Sequence, residues 1–438
     1  MTALFILLNS AHAQEREIVL DLATVLELGG ANNLTVQEYR QRQELAAADC
    51  SRAKEWWLPE VYAGVSAHQL WGAAMNADGR FFLDVNRHNL WSGLGINALW
   101  DLKEGLYRAR AAGSRAEAAH YHSQAARNQA VLEIIEAYYD FLTAQLHHQA
   151  FLQLADQAQN IVQQLEIQVE AGLRYQSELL LAKGNLQHIK IERLNAKADQ
   201  AIKSALLIKL LNLDAGLKIK SADTVMSPLD LTGYIDSNAD HDLAYKNRPE
   251  IKAMQLEKNS IEKEKLTTTK GLFIPELQFD ASTSYFGALR GPVTPMFPEQ
   301  YPETQMLYPT SGINVSLMWR LPLGRLINGG ALKQYNAQLM LQDNHIRQTK
   351  AAINEELVSA RQQIIIFEEQ IDIALEGSKL SEEALSQSIQ RQELGTAQPF
   401  EILQAQEVFI KNRLDYIRAV SNYNKNQYRL YVALGNDL

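Results

Sequence analysis

The sequence predicts a mainly helical fold with a small β part, built as two tandem structural repeats. Three observations predict it. First, the stretch Gly172–Asn212 returns as Gly395–Gly435, shifted by 223 residues without a gap. Seven of the 41 positions are identical, among them Gly172/Gly395, Glu178/Glu401, Leu180/Leu403 and Ala182/Ala405, and the apolar frame of three- and four-residue steps agrees as well. That frame is a heptad seam, so each copy reads as a helix in a coiled coil. Second, Lys103 to Ala171 and Leu326 to Leu394 are proline-free runs of about 69 residues, too long for a globular helix and expected of a coil. Third, four stretches of about ten residues alternate apolar and polar side chains, two in each half.

Composition narrows the class. The chain has 438 residues and a formal charge of −9, with no basic cluster, so nucleic acid is not an expected partner. A single cysteine, Cys50, excludes an intrachain disulfide and a cysteine zinc site. At the start, Leu4–Leu8 is apolar and Ala11-His12-Ala13 precedes Gln14, so residues 1–13 read as a secretory signal peptide with a shortened front. No cysteine follows it to carry a lipid. No later stretch supplies the ~20 apolar residues of a spanning helix, so any membrane crossing must use strands.

The elements follow in order. The first repeat covers residues 14–212. Leu20–Leu28 and Leu34–Trp57 have helical spacing, and the second stops before Pro59. Strands are expected at about 60–70 and 90–101, joined by a long polar loop, because Val61, Ala63, Val65 and Ala67, then Leu90, Leu94, Ile96, Ala98 and Trp100, each fall on one face. A helical hairpin takes 103–212. Its outgoing arm would be about 100 Å long at 1.5 Å per residue, and Gly172 turns it back. Residues 213–240, with Gly216, Pro228 and Gly233, read as a linker. The second repeat, 241–438, has the same order. Leu243–Leu272 is helical except at Pro249; strands come at about 276–286 and 312–321, separated by a loop with five prolines; and the hairpin 326–435 turns at Gly395. Pro399 falls in the first turn of the return helix, where a missing N–H is harmless.

These strands have the length that crosses a bilayer when tilted. One face of each is apolar, and in the second half the other is polar, as in a barrel with lipid outside and water inside. Four strands cannot enclose a lumen, and an open edge cannot face lipid. Oligomerisation is therefore required, and three copies of four strands give twelve. The alternative is a pair of amphipathic hairpins on a soluble periplasmic coiled-coil adaptor or scaffold. Adaptors carry one helical hairpin, however, whereas this sequence carries two.

The order helix, strand, strand, long helix, glycine turn, return helix, twice over, resembles the TolC family of outer-membrane efflux proteins. The local motifs are the Pro-Glu that leads into each first strand (Pro59, Pro275), the glycine turn followed by Glu178-Leu-Leu or Glu401-Ile-Leu, and the closing Leu-Leu-Asn212 and Ala-Leu-Gly435. The resemblance implies a homotrimer in the outer membrane of a Gram-negative bacterium: a transmembrane β-barrel with four strands per protomer, in contact with outer-membrane lipid, continued by a long α-helical barrel into the periplasm. It implies a passive exit duct of a tripartite efflux pump or type I secretion system, gated at its periplasmic tip. The partners would be a periplasmic adaptor (membrane fusion protein) and an inner-membrane transporter.

No nucleophile elbow, Walker loop, HExxH or paired-cysteine site occurs, so neither enzymatic activity nor a cofactor or metal is expected. Interest falls on the turns. Glu178 and Glu401 lie six residues past Gly172 and Gly395, and threefold symmetry would gather three copies of each into an acidic ring that favours cations. The resemblance implies that an acid at Glu401 lines the tip constriction, with a second acid three residues on, where this sequence has Gln404. An arginine that latches the closed tip in relatives would fall at Ala397, so the latch is expected to be missing. The hairpin ends, Gly172 with Leu173 and Gly395 with Thr396, are the expected adaptor docking points.

Overall fold

The computed structural model describes residues 17–75, 79–231, 237–288, 307–320, 323, 329–394, 396 and 398–438. The expected signal peptide, Gly395 and Ala397 lie outside these. The elements are β1 (Glu17–Leu20), α1 (Leu22–Asn32), α2 (Leu34–Lys54), β2 (Glu60–Met75), β3 (Phe81–Asp101), α3 (Leu102–Glu170), α4 (Gln176–Leu210), β4 (Lys218–Ser221), α5 (Ser237–Asn247), α6 (Pro249–Lys265), β5 (Glu276–Ala288), β6 (Leu307–Met318), α7 (Gly330–Glu393) and α8 (Pro399–Ala433). Among the described residues no helix is long and apolar enough to cross a membrane.

The chain divides into two compact units. One, within 44–119 and 254–344, holds an antiparallel sheet of order β2-β3-β5-β6. Directly paired residues share a face. The register Val61↔Ile96↔Ala281↔Ile313 and Ala63↔Leu94↔Thr283↔Ser311 therefore brings all four apolar faces expected from the sequence onto one side. Ala98, Phe279 and Val315 continue that side, and Trp100 stacks on Phe279 at 6.5 Å between ring centroids. The opposite side is polar: Asp280, paired with Asn97 and Asn314, accepts hydrogen bonds from Asn97 and from the Tyr62 hydroxyl.

Two strand boundaries differ from the sequence expectation. The stretch read as a long loop after residue 70 is ladder: β2 continues to Met75 and β3 starts at Phe81, with Leu70 opposite Arg87 and Trp71 opposite Asn86. Among the described residues β3 is backed by β5 from Asn89 to Asp101, and beyond that point the β2–β3 hairpin is a two-stranded ribbon. Cross-strand polar contacts, such as Gln69 Nε2 donating to Asn86 Oδ1 at 2.9 Å, hold it. Likewise β6 starts at Leu307 and ends at Met318 rather than running over 312–321; residues 289–306 of the proline-bearing loop lie outside the described set.

The other unit, within 1–43, 120–253 and 345–438, holds the main core. Tyr138, Phe141, Leu142, Ile134 and Ile135 of α3 pack with Leu207 and Leu211 of α4, Val420 of α8, and Leu20 and Val25 from the N-terminal segment. Asn33 joins two helix ends. Its Oδ1 accepts from the Thr35 and Val36 amides and caps α2, while its Nδ2 donates to the Leu210 carbonyl. The stretch 213–240 is more than a linker. Its β4 pairs in parallel with β1, from Glu17↔Lys218 to Leu20↔Ser221, and α5 begins at Ser237. Four residues are too few for a sequence signal, and their partner lies about 200 positions away.

Candidate functional site

The duplicated stretch ends its helices in the same way each time. At the end of α3 the Leu173 amide donates to the Gln168 carbonyl at 2.8 Å and the Gly172 amide to Val169 at 3.0 Å. With Gly172 at φ +72°, this is a Schellman turn. At the end of α7 the Thr396 amide donates to the Arg391 carbonyl at 2.9 Å, and the Thr396 hydroxyl adds a bond to the same oxygen at 3.0 Å. The return helices also close alike. The Leu213 amide reaches Ile208 and the Asn436 amide reaches Tyr431, across Asn212 at φ +51° and Gly435 at φ +85°. Asn and Gly are the residues that tolerate the left-handed conformation, so the repeat conserves geometry while changing the residue.

Just behind the two turns the hairpins share one apolar core. Leu154, Ile161 and Leu165 of α3, Leu179 and Leu186 of α4, Leu385 of α7, and Ile402 and Phe409 of α8 interlock. Asn185 Nδ2 donates to Gln406 Oε1 at 3.1 Å and ties α4 to α8. Buried amide groups are left without partners here: both polar atoms of Gln392, Nε2 of Gln406 and Oε1 of Gln168.

Glu178 and Glu401 each sit in the first turn of a return helix, where the macrodipole favours a negative charge. Each also faces an arginine. Arg391 Nη1, from the last turn of α7, lies 3.2 Å from Glu401 Oε2, and Arg174 Nη1 lies 4.0 Å from Glu178 Oε2. The expected absence of a latch arginine at Ala397 is a separate matter from this pair. Ala397 lies outside the described residues; a cation ten positions before Glu401, at the carbonyl that accepts the Thr396 bonds, pairs with the glutamate. Only the turn geometry brings Arg391 there, so spacing along the chain carries no signal for it. Gln404 is exposed and lines a groove with Leu181, Asn185 and Phe400. Leu173, which in a Schellman turn commonly packs back on its own helix, is instead 74% exposed.

Solved structures share this fold. The CmeC outer membrane channel of Campylobacter jejuni matches with a TM-score of 0.73 at 16% identity, over 94% of this chain and 85% of that one. The outer membrane protein VceC of Vibrio cholerae matches with a TM-score of 0.74 at 17% identity, over 95% and 96%. The open-state MtrE outer membrane channel of Neisseria gonorrhoeae matches with a TM-score of 0.72 at 14% identity, over 95% and 89%. No curated protein matches the sequence. Nothing in these matches points to the soluble adaptor alternative. A family model described as outer membrane efflux protein matches residues 26–213 and 241–436, and the chain belongs to that family.

Proposed function

We propose that three copies of the chain close into one channel in the outer membrane, which acts as the exit duct of a tripartite efflux pump. The observation that carries this reading is a pair of joints made once inside the chain and left open once. In the sheet, β3 of the first repeat pairs with β5 of the second, while β2 and β6 remain bare edges. The strands alternate in direction, so β6 of one copy meets β2 of the next in the antiparallel sense. Among the helices, α3 of the first repeat holds α8 of the second: Lys425 Nζ lies 2.9 Å from Asp140, Arg429 pairs with Glu136, and Tyr428 faces Tyr139 at 6.3 Å. The repeat counterparts of Lys425, Tyr428 and Arg429 on α4 are Ile202, Ala205 and Leu206. They are exposed, Ile202 to 66%. A rotation that repeats the inner joint seats this face on α7 of the next copy and closes the ring. Three copies of four strands then give the twelve of a lumen-bearing barrel.

In this reading the hairpin ends Gly172–Leu173 and Gly395–Thr396 meet a periplasmic adaptor, and an inner-membrane transporter supplies the energy. Glu401, Glu178 and Gln404 line the constriction. The seam has a direct test. Ile202→Asp with Leu206→Asp removes two side chains, each worth ~1.5–3 kcal/mol when buried, from a face that the single chain leaves bare. The double variant is expected to fold and run in detergent at one protomer mass, while the unaltered protein runs at three. A variant that remains trimeric contradicts the seam. A charged substitution at Leu173 or Thr396 is expected to stop export while trimers persist; unchanged export in both refutes docking there.

A further inference from the structure

The α4 face next to that seam carries a groove that the seam does not explain. Its floor is apolar: Phe141 of α3, Ile208 of α4, and Leu217 and Ile219 beside and within β4. Its rim is basic, with Lys197 and Lys209 on α4 and Lys218 and Lys220 on β4; among the described residues Glu17 is the only acid that lines it. Four lysines around one groove stand against a chain charge of −9. Lys197, Lys209 and Lys220 make no ion pair among the described residues.

The duplication indicates what kind of ligand lies here. On α8 the equivalent face, Val420, Tyr423, Asn424 and Gln427, is buried. Residues 227–231 of the same chain cover it in a non-helical, non-strand conformation. Asn424 grips their backbone from both sides: its Oδ1 accepts from the Leu229 amide and its Nδ2 donates to the Ser227 carbonyl, both at 2.9 Å. On α4 the counterparts are Lys197, Gln200, Ala201 and Ser204, and this seat is open. Gln200 and Ala201 stand where the second repeat has Tyr423 and Asn424, and Lys197 stands where it has Val420. The seat has thus kept room for a strand of backbone and exchanged an apolar rim for a cationic one.

We propose that this groove binds an extended acidic segment of a partner polypeptide. Its backbone runs along Gln200, Ala201 and Ser204, its apolar side chains rest on the partly exposed Leu213 and Leu217, and its carboxylates pair with the lysine rim. The groove is built within one chain, and of its lining only Ala205 is shared with the proposed seam. The test uses purified full-length protein in detergent and a labelled synthetic peptide that alternates glutamate and leucine, read by fluorescence anisotropy. Binding is expected to weaken about tenfold in Lys197→Glu with Lys220→Glu, two exposed side chains whose reversal leaves the core untouched, and to weaken with added salt. Ala201→Trp, which fills the seat without changing charge, is expected to weaken it as well. An otherwise identical peptide with glutamine in place of glutamate is expected not to bind. Equal binding of the two peptides, or binding unaffected by all three substitutions, overturns the proposal. So does a trimer that takes up no peptide because the next copy already fills the groove. If the protein sizes as a monomer and still binds the acidic peptide through Lys197 and Lys220, the channel reading fails and this one stands.

Discussion

Glu401 offers the sharpest perturbation, because the structure gives it a partner that can be removed separately. The Arg391–Glu401 pair spans 3.2 Å, with side chains 56% and 44% exposed. Such a pair contributes ~0.2–1 kcal/mol to stability, so Glu401→Gln and Arg391→Ala should each leave the thermal midpoint nearly unchanged. Their effects on conduction should be opposite. In the proposed trimer three Glu401 carboxylates would ring a water-filled constriction, each attracting a cation ~8 Å away by ~0.5 kcal/mol. Together that is ~1.5 kcal/mol, or about tenfold in cation occupancy of the ring. Arg391 cancels part of it. Glu401→Gln should therefore lower cation preference by up to about tenfold, and Arg391→Ala should raise it. Reversal potentials across planar bilayers under a salt gradient measure both, and ionic strength near 0.1 M keeps the screening length at ~10 Å. If neither variant shifts the reversal potential, Glu401 does not line the constriction. If both shift it in the same direction, the pair does not govern the local charge.

Three further outcomes follow from the geometry. Gly172→Ala should cost ~1–2 kcal/mol, the strain of a side chain in the left-handed region, because an added Cβ meets nothing within 4 Å. Gly435→Ala should cost clearly more, since its Cβ would also lie 2.8 Å from Asn247 Cβ and 2.9 Å from the Arg248 amide nitrogen; equal midpoints for the two in thermal melts would contradict this packing. Burial pushes the Asp140 carboxyl up, but hydrogen bonds and charge from Lys425 and Lys203 outweigh it and hold the group below the usual range. A depressed carboxylate stabilises the fold above its unfolded pKa of ~3.9 and loses that contribution as pH falls through the lower folded value. Asp140→Asn should thus cost ~1–2 kcal/mol at pH 7, with the gap closing only in strong acid; a gap that closes between pH 5 and 7 refutes the assignment.

The fold was legible where a long run obeyed one period. The helix expected from Lys103 to Ala171 is α3, Leu102–Glu170, and the alternation at 61–67, 90–100, 277–285 and 313–317 fell on one side of the sheet. Legibility failed in the β2–β3 extension, a two-stranded ribbon among the described residues, and where a contact joins distant short segments, as in β1 with β4. Gly395 lies outside the described residues; the Gly172 turn and the first-turn positions of Glu178 and Glu401 could be read from the duplication, because a shift of 223 superimposes the two stretches. Their arginine partners could not. Arg391 reaches Glu401 across a turn and Arg174 reaches Glu178 within one, and neither spacing repeats between the halves. The lysine groove appears only when both repeats are folded and the covered face of α8 is laid beside the open face of α4.

The central claim is that one chain carries half of each joint and that three chains complete the ring. Its most direct test is the mass of the protein extracted from outer-membrane fractions in mild detergent, measured by size exclusion with light scattering corrected for bound detergent. The account predicts a particle of three protomer masses from the outer-membrane fraction. A monodisperse single protomer, or recovery in the soluble periplasmic fraction, would contradict it.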